Sequence, residues 1–571
     1  MAAQLYQFVQ SKEVSAFNPP DAALTPDDLH DLPLHYLEPA LERLSAADKV
    51  DLLQNKIFPV AYFPNITLYG AAGEQARINA VASGKKVIAR VEPSTLAIAI
   101  KRKLGGELLD TAIHTLRNKK SGQSAFKRMS LAQIFWISVL IGLVGLIYSK
   151  LSSEIFYSAV SFISGLFFLL IISLRVLCLF ENKPLPVVKP KDFSNDDLPV
   201  YTVLVPVFRE TRILSQLIGA LSRLNYPQSK LDVKIILEET DIAMQRAIAA
   251  LHLPEHFDVI VVPAGSPQTK PRALNYALQF ARGSLLTIFD AEDVPEPMQL
   301  QKAVQCFATK PEKIACLQAE LAFYNPNENW LTRQFTVEYA TLFKLMLPAF
   351  VIEKLPLPLG GTSNHFRVSV LRRVGGWDPY NVTEDADLGL RLARHGYATE
   401  MLDSITYEEA TFRFDNWLHQ RSRWLKGFMQ TWCVHMRNPA TLRRELGTYG
   451  FCAMQATTLG LIVSALFHPF LIVHAIYTLC LGQFSASTST PLLQALVGLN
   501  IVVLFIGYST AIYAGYKALR AKHIAGWWLV LATMPLYWFL MSIAGWMALR
   551  QFIFNPHYWN KTSHGLSRFQ K

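Results

Sequence analysis

Residues 284–293 read SLLTIFDAED, a short apolar, β-prone run that stops abruptly at Asp290, Glu292 and Asp293. A run of this length and composition predicts a buried strand. Three similar runs precede it: YTVLVPVF at 201–208, LDVKIILEE at 231–239 and FDVIVVP at 257–263, with amphipathic stretches between them. Strand–helix alternation of this kind predicts an α/β domain from about residue 198 to 437, built on a mostly parallel sheet covered by helices. Ligands of such sheets gather at the carboxyl ends of the strands, where the three acids stand.

On either side of this domain the texture changes. The chain has 571 residues, 51% of them hydrophobic, and Lys+Arg exceed Asp+Glu by 55 to 44. That balance points to a membrane protein, and the cations cluster beside apolar segments, which favours anionic lipid over nucleic acid. Leu131–Tyr148 and Ile155–Leu174 are long enough to cross a hydrocarbon core of roughly 30 Å and read as a transmembrane hairpin within residues 126–182. Basic residues upstream, among them Lys119, Lys120, Lys127 and Arg128, predict a cytoplasmic N-terminus and catalytic domain. Within residues 451–549 three more apolar runs follow, Phe451–Leu481, Leu492–Tyr516 and Ile524–Leu549. Cations lie at both ends of the last run, Lys517, Arg520 and Lys522 before it and Arg550, Lys561, Arg568 and Lys571 after it, so it is expected to dip into the bilayer, broken at Pro535, without crossing. Residues 1–125 read as a small N-terminal α/β module with no cleaved signal peptide. The six cysteines lack any C-x-x-C pairing and read as buried free thiols.

Three clusters carry chemistry. Asp290, Glu292 and Asp293 offer hard oxygen ligands for Mg²⁺ or Mn²⁺. Glu384 and Asp385 open an amphipathic helix, where a carboxylate either caps the helix or acts as a general base toward a hydroxyl. In HQRSRWLKG at 419–427, helical spacing places Gln420 and Arg423 on one face, where a guanidinium grips phosphate, and Trp424 offers an indole for stacking on a sugar.

Together with VPVFRE at 205–210, TKPRALNYAL at 269–278 and GGTSNHFR at 360–367, these segments resemble the membrane-integrated family 2 glycosyltransferases, which include cellulose, hyaluronan and chitin synthases. The resemblance runs from Tyr201 to Trp424. It implies a GT-A (Rossmann-like) glycosyltransferase domain inserted between transmembrane segments, with a UDP-sugar donor, a growing glycan as acceptor and Mg²⁺ or Mn²⁺ as cofactor. By the same resemblance, Asp290 chelates the metal, Asp385 of T-E-D is the base, and Trp424 of Q-x-x-R-W holds the acceptor. A single displacement would invert the anomeric carbon. Two positions depart from the family pattern. D-x-D reads D-x-E, leaving Glu292 or Asp293 as second ligand, and the nucleotide-base aspartate is replaced by LEETDIAM, leaving Glu239 or Asp241. Lys270 and Arg272 are further donor-binding candidates. Trp559, Lys561 and Thr562, within residues 550–571, resemble the gating loops of these synthases. The N-terminal module faintly resembles the N-terminal domain of type II secretion ATPases; KLGGELL at 103–109 matches its cyclic di-GMP motif once, with Lys103 in place of arginine.

The leading expectation is a bacterial inner-membrane enzyme that elongates and secretes a β-linked polysaccharide from UDP-glucose, with envelope export partners and no nucleic-acid partner. The alternatives are transfer of one sugar to a lipid-linked or other membrane acceptor, and an inactive envelope or phage-receptor scaffold.

Overall fold

In a computed structural model, residues 29–63, 66–150, 153–181, 194–480, 491–519, 524–558 and 567 are described. The N-terminal module has four strands, β1 (His30–Asp31), β2 (Ile57–Phe63), β3 (Ile66–Ala72) and β4 (Lys86–Val91), in the order β1-β4-β3-β2. The helix that starts at Pro93 breaks at Leu104, and a second, α1 (Gly105–Lys119), continues from the glycine pair. Buried Leu104, Leu108 and Ala112 join one hydrophobic core with Ala273, Leu274 and Ala277 of the following domain, so module and domain pack as a unit.

Next comes α2 (Leu131–Lys150) and α3 (Ser153–Phe180), then the central domain. Its strands are β5 (Tyr201–Val207), β6 (Leu231–Glu238), β7 (Phe257–Val262), β8 (Leu285–Ile288), β9 (Val294–Pro295), β10 (Ile314–Phe323), β11 (Asn364–Arg367) and β12 (Ala398–Glu408). They form one sheet in the order β7-β6-β5-β8-β11-β10-β12-β9. The β5–β6, β6–β7, β5–β8 and β10–β12 pairs are parallel, whereas β11 runs antiparallel to both of its neighbours. The near-continuous burial of β5, β6 and β8 is what a sheet covered on both faces requires. From β5 the chain builds outward to β6 and β7, then returns to place β8 on the other flank of β5. The carboxyl ends of β5 and β8 therefore flank the crevice where an open α/β sheet takes its ligand.

Around the sheet and beyond it lie α4 (Lys270–Leu278), α5 (Trp330–Thr341), α6 (Glu384–Arg394), α7 (Phe414–His435), α8 (Gly460–Cys480), α9 (Pro491–Leu519) and α10 (Met534–Phe554). Among the described residues five helical stretches are long and apolar enough to cross a membrane: Leu131–Lys150, Ile155–Phe180, Trp330–Ile352, Pro439–Val473 and Pro491–Leu519. The third, which contains α5, is mostly buried, with Val337 and Ala340 packed against Ala511, Ala514 and Met534 of the C-terminal helices. The last apolar run is divided into Trp527–Ala532 and α10. Its break falls at Thr533, and Pro535 lies in the first turn of α10, where a missing N–H costs no helical bond. Of the cysteines, Cys178, Cys306, Cys316 and Cys433 are buried free thiols, Cys452 is half-buried and Cys480 exposed.

Candidate active site

Two cavities meet inside the molecule. The first lies at the carboxyl ends of β5 and β8 and is lined by Phe208, Glu210, Lys270, Asp290, Glu384 and Arg423, among others. The second, of about 1090 Å³, runs among α3, α5, α8, α9 and α10. Leu321, Tyr339, Gly361, Thr383, Asp385 and Trp424 line both. The junction is thus built from the T-E-D helix, the Q-x-x-R-W helix and α5.

The acidic turn after β8 holds three mutually repelling carboxylates, Asp290, Glu292 and Asp293. Asp293 is buried; its Oδ2 accepts from the Asp290 amide at 2.7 Å and from the Thr362 hydroxyl, while its Oδ1 has no hydrogen-bond partner among the described residues. Burial, then Asp290 and Glu292, push the Asp293 carboxyl well above the usual range. Glu408, at the end of β12, joins this group. Burial, then Asp293, Glu292 and Asp290, raise it as well, and its Oε1 is also unpartnered among the described residues. Asp290 Oδ1 lies 2.5 Å from Lys270 Nζ. Burial works against the Lys270 ammonium, but Asp290, Glu384 and Asp385 outweigh it and raise the Lys270 pKa. Among the described residues no three metal-ligating side chains are already closed round one point. Two orphaned, buried carboxylate oxygens in a cluster of raised acids nevertheless fit a hard divalent cation, because each would gain the counter-charge it lacks.

The T-E-D helix separates its three acids by direction. Asp387 turns into the core, accepting from Arg391 Nε at 2.7 Å and sitting 3.0 Å from His435 Nε2. Glu384 and Asp385 face the pocket. Burial and then Asp385 raise Glu384 to about 7, opposed by Lys270 and Arg423. Asp385 is also raised, first by burial. Its Oδ1 accepts the Ala386 amide at 2.8 Å, while Oδ2 is the atom a Cβ on Gly361 would meet at 3.3 Å. The Thr383 side chain caps nothing; it lies against Gly427 of α7, where an added Cβ would come within 2.3 Å of Thr383 Oγ1. Only glycine at 427 lets the two helices approach so closely.

On α7, the Gln420 Oε1 accepts the Thr411 hydroxyl at 2.9 Å, which orients the amide. Arg423 lies near enough to Glu384, Asp385 and Asp290 to feel all three, and its Nε has no hydrogen-bond partner among the described residues. Trp424 stacks on Tyr339 with centroids 6.2 Å apart and planes at 25°, and meets Phe335 edge-on at 5.9 Å. Next to it, the Arg421 guanidinium is 4.1 Å from the centre of Phe335 and 4.7 Å from that of Trp424. Arg421 Nη1 donates to Glu338 at 2.6 Å, and Glu338 accepts the Tyr537 hydroxyl at 2.9 Å, which ties α7 to α5 and α10.

The nucleotide-side candidates divide differently from expectation. Glu239 and Asp241 do not line the pocket. Glu239 pairs with Lys101 of the N-terminal module at 2.5 Å and accepts the Ala264 amide. Asp241 caps the helix beginning at Ile242 and accepts the Arg209 amide at 2.5 Å, holding the loop after β5. The acid that faces the pocket is Glu238, paired with buried Arg272, which itself lies behind the wall. Strand alternation explains the exchange, since adjacent residues point to opposite faces. Trp559, Lys561 and Thr562 lie outside the described residues. Before them, Lys426 and Gln430 donate to the carbonyls of Tyr558 and Pro556; after them, buried Ser567 donates to Glu409 and Glu328. In the N-terminal module, Lys103 is paired with Glu42 at 2.7 Å, and Leu104 and Leu108 are packed in the core.

Residues 285–559, a little under half of the chain, match the family model described as glycosyl transferase family group 2. The chain is 26% identical over 241 residues to a probable glycosyltransferase, YdaM, of Bacillus subtilis, covering 40% of this chain and 56% of that one. It is 26% identical over 263 residues to probable glucomannan 4-beta-mannosyltransferase 1 of Arabidopsis thaliana, covering 44% and 47%. It is 28% identical over 297 residues to a beta-monoglucosyldiacylglycerol synthase of Synechocystis, covering 50% and 60%. The chain therefore spans about half the length of the curated relatives it matches. Among solved structures, it is similar to mannosyltransferase PcManGT from Pyrobaculum calidifontis in complex with GDP-Man and Mn2+, with a TM-score of 0.43, 16% identity, and coverage of 70% of this chain and 99% of that one.

Proposed function

We propose that this chain is an inverting membrane glycosyltransferase of a bacterial inner membrane, with its catalytic domain in the cytoplasm, that moves a sugar from a nucleoside-diphosphate donor to an acceptor hydroxyl. The observation that carries this reading is the position of Asp385. It is the carboxylate shared by the cavity at the carboxyl ends of the strands and the cavity among the apolar helices. In this reading the donor lies over Asp290 and Lys270, and the acceptor arrives from the helical side. Raised by burial, Asp385 is a stronger base than an exposed aspartate and takes the hydroxyl proton as the oxygen attacks the anomeric carbon. Arg423 and Lys270 hold the diphosphate and stabilise its growing charge. A Mg²⁺ or Mn²⁺ held by Asp290 with Glu292 or Asp293, and Glu408 behind them, would supply further positive charge to the leaving group. Trp424, stacked on Tyr339, fixes the acceptor beside Asp385. With one displacement, the product is β-linked if the donor is α-linked.

The donor proposed is a UDP-sugar, UDP-glucose first. Its product is either a β-linked polysaccharide lengthened by one unit per turnover, as Q-x-x-R-W suggests, or a single glycoside of a membrane acceptor. The apolar walls of the larger cavity favour the second product. Purified protein in nanodiscs, given a panel of radiolabelled nucleotide sugars with Mg²⁺ or Mn²⁺, is expected to convert one of them into a labelled glycoside in a manner that needs the metal. No turnover of any nucleotide sugar would contradict the reading.

A further inference from the structure

The larger cavity is the acceptor site, and its walls state what the acceptor is made of. Its inner end is polar and aromatic: Asp385, Thr383 and Trp424, with Arg421 beside them, whose buried Nε and Nη2 have no hydrogen-bond acceptor among the described residues. Unpaired donors on a buried guanidinium are costly, and oxygen atoms of a ligand would satisfy them. Away from this end the cavity passes between α3, α8 and α9 along Val160, Ile171, Leu461, Leu471, Val497 and Leu504. Several of the polar side chains on that stretch already have partners within the protein. Arg175 Nη1 donates to the Gly507 carbonyl at 3.1 Å, Asn500 Nδ2 to the Ser161 carbonyl at 2.9 Å, and the Tyr508 hydroxyl lies 2.9 Å from His468 Nε2. A glycan threaded here would bring a hydroxyl at nearly every carbon into walls offering chiefly hydrocarbon, at a desolvation cost repeated for each sugar. An alkyl chain meets those walls without cost. The volume, about 1090 Å³, is at the top of the roughly 300–1,000 Å³ range of small-molecule sites, enough for an amphiphile larger than a monosaccharide.

We infer that the acceptor is a lipid bearing a free hydroxyl on its headgroup, seated with its head at Asp385, Trp424 and Arg421 and an acyl chain between α3, α8 and α9. This rests on the glycosyltransferase reading above. In the reaction the headgroup oxygen bonds to the anomeric carbon, the bond from that carbon to the diphosphate oxygen breaks, the hydroxyl proton passes to Asp385, and the nucleoside diphosphate leaves.

The test uses the full chain in phosphatidylcholine nanodiscs with the radiolabelled nucleotide sugar that the donor panel selects and Mn²⁺. Separate arms contain dioleoylglycerol, phosphatidylglycerol, or cellobiose without added lipid. Label extracted into chloroform–methanol in a lipid arm, as a species one sugar larger than that lipid, supports the inference. Label in an alcohol-insoluble polymer, label on cellobiose alone, or free sugar as the sole product in every arm overturns it while leaving glycosyl donor use intact. Absence of donor turnover in all arms would overturn the underlying function as well. Cavity-filling substitutions give a second readout. Ile171→Trp and Leu504→Trp are expected to lower lipid glycosylation at least about tenfold more than donor hydrolysis. Leu140→Trp, on the exposed face of α2, is the folding and insertion control and should change neither. Equal effects on both reactions would overturn the inference.

Discussion

The donor pocket and the helical cavity meet at one carboxylate, yet they are built on opposite principles. The pocket concentrates charge: Asp290, Glu292, Glu384, Asp385 and Glu408 line it, with Asp293 buried beside them, against only a few cations, and burial raises several of the acids. The cavity, away from its inner end, satisfies several of its polar side chains within the protein and shows chiefly hydrocarbon. In the proposed reading the difference lets a single enzyme take a sugar from a charged donor and pass it to a membrane-borne acceptor: each substrate is desolvated in a medium suited to it, and Asp385 and Trp424 are among the residues lining both regions.

The most damaging way to break this contrast is on the charged side. Asp290→Ala removes a proposed metal ligand and the counter-charge of Lys270. It is expected to lower transfer by about 10³-fold or more, with donor affinity reduced and acceptor KM little changed. Comparable loss at saturating donor with unaltered nucleotide binding would place Asp290 outside donor recognition.

The pH profile comes next. Because Glu384 is raised to about 7 and Asp385 is raised beside it, the pair must lose its protons for base catalysis, so kcat/KM should fall as pH drops through about 7 and not near 4. The same groups bear on stability. A carboxyl whose folded pKa lies above its unfolded value keeps its proton in the native state, so stability falls as pH rises from about 4.5 to about 7. Thermal unfolding of metal-free protein should show a higher Tm near pH 5 than near pH 8, and Mn²⁺ should narrow the gap by neutralising the cluster. A Tm that rises with pH in metal-free protein would contradict the charge distribution described.

A smaller effect is expected on the other side of the junction. Trp424→Ala removes a stacking surface worth roughly 1 kcal/mol, so transfer should drop about fivefold through the acceptor term, with donor hydrolysis retained. Loss of both in parallel would merge the two regions. Smallest of all, Asp241→Ala removes a helix cap and the anchor of the Arg209 amide; about 1 kcal/mol of stability and a severalfold rise in donor KM are expected, measured by denaturation and initial rates.

The two regions also differ in how far the sequence discloses them. The α/β fold was legible because strand periodicity and abrupt acidic ends are local properties, and the T-E-D and Q-x-x-R-W segments announce themselves by residue type. What the sequence concealed depends on pairing at a distance. Glu408 sits at the end of an eleven-residue strand with no motif around it, and it reaches the acidic turn through its parallel neighbour β10 and the short β9. Glu238 and Glu239 differ by one residue, and which of them faces the pocket depends on the register of β6. Glu338 lies in a helix apolar enough to pass for a membrane span, and only packing shows it clasping Arg421 and Tyr537. Hydropathy gives the length of apolar runs but not which faces of α3, α8 and α9 turn inward, so the cavity among them could not be read before the helices were placed.

The central claim, that the two regions meet at one base, is tested most directly by Asp385→Asn. Purified wild-type and variant proteins should be compared in nanodiscs for binding of the selected nucleotide sugar and for transfer of its label. The account predicts that the variant binds the donor with near wild-type affinity and loses transfer by about 10³-fold, because Asn keeps the shape of the junction and cannot take the proton. Transfer within a few-fold of wild type would contradict it, and would move the base elsewhere in the pocket.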